Sequence, residues 1–234
     1  VWGAAFVQQG DCRGEDVVNQ VTFYELTYTN TYDSGTANNV YYWVDGYRLI
    51  NRCNIVIEGV TNAVNNGIIT AAIGNDYIGQ AKFLRAITHF ELLMHFARPY
   101  QFTAGATHPG IPYREVGIDT QAEVDSEKLK GRNTVAECYA KVLADLDSAE
   151  ALITNTDKSK ASKRAAIAFK TRVYLHKRDW DNVILEGNKV TGAALTPNPN
   201  DPFVTASNLT NSESIFSITH SATANPGVNA ALAS

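Results

Sequence analysis

The chain has 234 residues, 44% of them hydrophobic and 19% charged, which places it with folded proteins and apart from disordered ones. Its formal net charge is −4, and its densest basic stretch, 158–164, reads as a loop entering a helix rather than a binding stripe. That balance makes the chain a poor candidate for a nucleic-acid binder, which needs a basic face to meet phosphates.

Cys12, Cys53 and Cys138 form an odd set without CxxC spacing, which speaks against a zinc cluster. Cys53 and Cys138 sit in apolar helical patterns and are expected to be buried thiols. No stretch reaches the roughly twenty apolar residues of a membrane span. The first residues, Val1 to Phe6, lack Met and a charged n-region, and read as the start of a processed or trimmed piece.

Residues 1–40 are polar and aromatic without helical period, and are expected to be loop-rich. From 41 to 60, Trp43, Tyr47, Ile50, Asn54 and Ile57 recur at steps of three and four, which predicts a helix ending near Thr61. A second helix is expected over 70–97, with Phe83, Ile87, Phe90 and Met94 buried on one side. Because Leu84, Leu92, Leu93 and Phe96 make its other sides apolar too, neighbours must pack all round it. Pro99 ends it, and 99–131 reads as a long loop whose acidic residues Glu123, Asp125 and Glu127 face water.

Thr134-Val135-Ala136-Glu137 is a capping box that opens the next helix. Val135, Cys138, Val142, Leu146, Ala149 and Ile153 then form one apolar face. A further helix starts at Ser162 or Lys163, with Ala166, Phe169 and Val173 aligned. Asp179 caps a short partner helix over 180–190, and Ser214 to Thr219 reads as one strand. The 163–190 pair resembles a degenerate tetratricopeptide hairpin, with Ala166, Tyr174, Leu175 and Trp180 in fitting places and Val183 where a small residue is usual. The expected fold is all-α: a tetratricopeptide-like superhelix of hairpins with long loops and minor β structure near the C-terminus.

Three ordered stretches resemble the SusD/RagB family. They are Trp43-x3-Tyr47-x2-Ile50-x3-Asn54, then Gly79-Gln80-Ala81-Lys82-Phe83-Leu84-Arg85-Ala86 running to Arg98-Pro99 and Gly110-Ile111-Pro112, and then Thr134 to Ala149 continuing through Leu175 and Trp180. Ala97 stands where the family often has Gly. The resemblance implies a single helical domain over 1–234: a loop-rich segment 1–40, helical hairpins over 41–191, and in 192–234 the start of a second half. It also implies a lipid-anchored, surface-exposed protein of the outer membrane. Such a protein binds a glycan without catalysis or cofactor and passes it to a SusC-like TonB-dependent transporter.

Sugar recognition needs aromatic faces for the ring and planar polar groups for the hydroxyls. Arg13, Asp16, Tyr28, Asn30 and Tyr32 offer that mix in the region where the family places part of its site, and are the candidate ligand-binding residues. Trp43 and Trp180 are expected to be packing residues. No catalytic residues and no metal ligands are assigned: His89 and His95 are six apart and diverge, as do Asp145 and Asp147 on their helix. A peptide-binding tetratricopeptide adaptor would show a regular period of about 34 residues, which is absent. A helical glycoside hydrolase would need two carboxylates facing a cleft roughly 5–10 Å apart.

Overall fold

A computed structural model of the chain describes residues 10–14, 17–20, 22–204 and 210–219. Its main helices are α1 (Ala37–Asn65), α2 (Ala71–Phe96), α3 (Gln121–Glu127), α4 (Val135–Leu152), α5 (Lys163–Lys177) and α6 (Trp180–Gly187). Among the described residues there is no strand, and the fold is all-α. Two compact units are present, Ile50–Ser217 and Val1–Leu49 with Ile218–Ser234.

In the larger unit α2 is the central element. From Ala81 to Leu93 all residues but Lys82 and Leu84 are buried; Leu92 and Leu93 are covered as the apolar pattern requires, whereas Leu84 and Phe96 are only half-buried. Helices α4 and α5 pack against it, and α6 packs against α5. Phe83 meets Phe169 and Phe216 edge to face at 6.3 and 5.4 Å, and Phe90 meets Tyr139 and Phe169 at 5.8 and 5.5 Å. Met94 is only half-buried, because α2 is emerging from its neighbours there; its sulfur lies 4.0 Å from the Tyr139 hydroxyl. Gly79 lets α2 approach the end of α4: a Cβ there would stand 2.7 Å from Ile153.

The α4 face is buried as its spacing predicts, from Val135 through Ile153. Its capping box is complete. Thr134 Oγ1 accepts from the Glu137 N–H (3.2 Å), and the Glu137 carboxylate accepts from the Thr134 N–H (2.9 Å). Ser162 caps α5, and Arg178 in the left-handed region (φ 58°) turns the chain into α6, capped by Asp179. Cys12, Cys53 and Cys138 are buried free thiols; burial pushes the Cys53 thiol up to about 11.

Besides Met94, four local expectations are corrected. Helix α1 continues past Thr61 to Asn65; Thr61 is accommodated inside it by turning its hydroxyl onto Ile57 O (2.6 Å). The acidic run is helical: Thr120 and Glu123 make a second capping box, and Glu127 is buried against Arg114 (3.1 Å) and Lys130. Trp180 is 57% exposed, as are Ile184 (63%) and Leu185 (56%), because α6 turns its polar side inward. There Glu186 reaches Lys170 Nζ at 3.1 Å. Residues 214–219 form no strand; the Ser217 N–H donates to Lys158 O (2.8 Å) without a ladder, and Phe216 serves the core.

Lys170 is the other polar anchor of this unit. It is 1% exposed and lies against Asp147 (2.9 Å), Glu150 and Glu186. Burial works against its charge, but the three carboxylates outweigh it and hold its pKa above that of ordinary lysine.

Candidate functional site

The candidate ligand residues belong to the smaller unit. A 3-10 turn, Thr22–Tyr24, runs into a single helical turn, Glu25–Tyr28. Tyr24 and Thr27 are buried and fix the turn, which leaves Tyr28 on the outside, 38% exposed. The turn closes through bonds from the Thr29 N–H to Glu25 O (2.9 Å) and the Thr31 N–H to Leu26 O (3.0 Å). Asn30 takes φ 56°, a left-handed geometry that asparagine tolerates better than most residues. Its place in the sequence is therefore set first by the backbone.

Tyr32 follows, 39% exposed, and the Arg13 guanidinium lies 4.9 Å from its ring centroid. This cation–π contact orders both side chains and sets guanidinium donors beside an aromatic surface. Beyond it, Asp33 Oδ1 accepts from the Gly35 N–H (2.8 Å) and the Thr36 hydroxyl (3.2 Å), which stabilises the following loop. Of the five predicted residues, Arg13 and Tyr32 are thus brought together. Tyr28 and Asn30 are exposed on the adjoining turn. Asp16 lies outside the described residues. Trp43, on α1, is half-buried with its ring 4.8 Å from that of Tyr47, in keeping with a packing role.

A second polar constellation, in the larger unit, is buried. Arg85 Nε and Nη2 donate to Asp145 Oδ2 (2.8 Å) and Oδ1 (2.6 Å), while Nη1 donates to Asn54 Oδ1 (2.8 Å). The Tyr113 hydroxyl donates to Asp145 Oδ2 (2.9 Å). Asn54 Nδ2 donates to Val116 O (3.0 Å), and Asn51 exchanges two bonds with the backbone of Ile118 (2.7 and 2.9 Å). These bonds pin the 113–118 segment to α1 and α4.

His89 belongs to the same cluster. Its Nε2 accepts from the Arg114 N–H (3.1 Å), which leaves Nδ1 to donate to Arg85 O (3.0 Å). Its ring stacks on Tyr113 at 3.7 Å. Burial and the Arg85 charge keep its pKa well below that of ordinary histidine. The sequence signal for this cluster is Arg85 and His89 set among Phe83, Leu84, Ala86, Ile87 and Phe90, where burial demands partners. Among the described residues no group of His, Cys, Asp and Glu is arranged to hold a metal ion.

Residues 9–175 match a model of the SusD-like family described as starch-binding and associating with the outer membrane. The chain belongs to this family. It is similar to a SusD superfamily protein from Bacteroides fragilis, at 26% identity and TM-score 0.84 over 98% of this chain and 52% of that one. A SusD superfamily protein from Bacteroides thetaiotaomicron matches at 23% identity and TM-score 0.77, over 97% and 50% of the two chains. A laminarin-binding SusD-like protein matches at 20% identity and TM-score 0.70, over 94% and 47%. The chain therefore spans about half the length of these structures. No curated protein matches it.

Proposed function

We propose that this chain forms part of a non-catalytic saccharide-binding protein of the outer-membrane surface. It holds an oligo- or polysaccharide at the Arg13–Tyr32 surface and delivers it to a SusC-like TonB-dependent transporter. A lipid anchor attaches the protein to the membrane; no described helix is long and apolar enough to cross one.

The observation that carries this proposal is the half-exposed Tyr32 ring held by Arg13, with Tyr28 exposed on the adjoining turn, in a chain of the SusD-like family. The aromatic surface suits the apolar face of a pyranose, and the guanidinium and Asn30 suit its hydroxyls. Laminarin binding by a structural neighbour supports the ligand class. A binding rather than hydrolytic role is supported by the state of Asp145, whose oxygens are occupied by Arg85 and Tyr113 and which lies buried. Asp147 is tied to Lys170.

Calorimetric titration with laminarin, starch and xyloglucan oligosaccharides tests the proposal. The 234-residue chain is expected to bind its preferred glycan weakly, with Kd on the order of millimolar, about −4 kcal/mol. Tyr28→Ala and Tyr32→Ala should each weaken that binding. Unchanged affinity in both variants would place the glycan elsewhere.

A further inference from the structure

The larger unit holds a cavity of about 470 Å³ between the end of α4, the start of α5 and the segment after α6. Its volume falls within the range of small-molecule sites. Ile153, Ile167 and Ile215 supply an apolar floor, and Thr154, Thr156 and Thr191 supply hydroxyls. Its charged lining is wholly cationic: Lys158, Lys163, Arg164 and Lys189.

The partners of these cations are unequal. Lys189 is already held by Glu186 (2.8 Å) and Glu150 (3.8 Å). The other three have no carboxylate partner among the described residues. The Lys158 ammonium donates to Asn211 O, and Arg164 Nη1 donates to Gly192 O (3.1 Å). Gly192 itself takes φ 70°, a left-handed geometry that suits glycine.

Nearby carboxylates are engaged elsewhere. Asp76 Oδ1 accepts from the Thr154 N–H (2.6 Å), the Thr154 hydroxyl (2.9 Å) and the Asn155 N–H (2.8 Å), and Oδ2 accepts from Gln80 (2.6 Å). Asp157 Oδ1 accepts from the Ser159 N–H (2.9 Å) and hydroxyl (2.8 Å). Three cations therefore line one concave space without a carboxylate partner among the described residues, beside threonine hydroxyls and an apolar wall. A hydroxylated ring that bears an anion satisfies all three features together: the anion meets the cations, the ring hydroxyls the threonines, and the C–H face the isoleucines.

We propose that this cavity is a second saccharide site, selective for an acidic sugar unit, either a uronate carboxylate or a sulfate ester. The choice of a sugar as carrier of the anion rests on the saccharide-binding function proposed above; the site itself is separate from Arg13 and Tyr32.

The test uses NMR titration of the whole chain with galacturonate, galactose 6-sulfate, galactose and inorganic sulfate. Galacturonate or galactose 6-sulfate is expected to shift the amides of 162–165 and 191–192, while galactose leaves them unmoved. The affinity should fall about tenfold or more in the Lys163→Gln/Arg164→Gln variant, whose folding is checked by its thermal melt. It should fall likewise in 1 M salt, where screening shortens to about 3 Å. Comparison of the two acidic sugars identifies the anion. Tyr32→Ala should leave this binding intact, so loss of neutral-glycan binding and loss of acidic-sugar binding are read separately. Galactose binding as tightly as galacturonate and galactose 6-sulfate, or no shift with either acidic sugar, would overturn the site. Inorganic sulfate binding as tightly as both acidic sugars would overturn its assignment to a saccharide.

Discussion

Arg85 on α2 and Asp145 on α4 meet through two parallel hydrogen bonds of 2.8 and 2.6 Å, with their side chains only 6% and 7% exposed. Asn54 and Tyr113 complete the pair. Burial costs both charges their hydration, and the pair is stable only because its remaining donors and acceptors are met. Asp145→Ala would leave the guanidinium buried without its counter-charge. A loss of about 3–5 kcal/mol in urea unfolding is expected. A loss near that of a surface substitution would show that water reaches Arg85.

Phe90 is fully buried and touches rings from α4 and α5. Phe90→Ala removes that area and leaves a cavity, and should cost about 3–5 kcal/mol. Denaturant melts check it; a cost below about 1 kcal/mol would mean that the neighbours close the space.

Thr134 caps α4 through Glu137. Thr134→Ala should cost about 0.5–2 kcal/mol and speed amide exchange at 135–138. Unchanged exchange there would show that the first turn holds without its cap.

How much of this was legible in the sequence depended on whether one residue's signal was local. The α4 face from Val135 to Ile153 and the caps at Thr134 and Asp179 follow from spacing and residue chemistry alone, and the structure has them. Helix α3 has no apolar period among its acidic residues to mark it; its Thr120–Glu123 box is a local signal of the kind read at Thr134, whereas the burial of Glu127 against the distant Arg114 is not local. Trp180 was misplaced because an aromatic at helical spacing predicts burial, whereas the α5–α6 contact is decided by Glu186 meeting Lys170. In the candidate site, the residue types in 13–32 were readable, but the contact of Arg13 with Tyr32 joins residues on separate turns and has no sequence period. Asn30 drew notice as a polar ligand, while its left-handed φ is the property that the structure displays.

His89 gives the fold a pH dependence. Its pKa in the folded chain lies well below the ordinary value of 6.5, first through burial and then through Arg85. Below 6.5 the unfolded chain therefore binds more protons at this position than the folded one. The contribution to stability is fully present above that pH and is lost progressively as pH falls toward the folded pKa. His176, also lowered, acts in the same sense. The urea midpoint should therefore drop between pH 7.5 and pH 5.5, and His89→Gln should flatten that drop. An equal drop in the variant would assign it to other groups.

The surface around Arg13 and Tyr32 is proposed to bind a glycan. Affinity electrophoresis in gels cast with laminarin, starch or xyloglucan tests it most directly. The chain should be retarded in at least one polysaccharide gel relative to a plain gel, and Tyr32→Ala should restore part of its free mobility. Equal mobility of chain and variant in every gel would contradict the account.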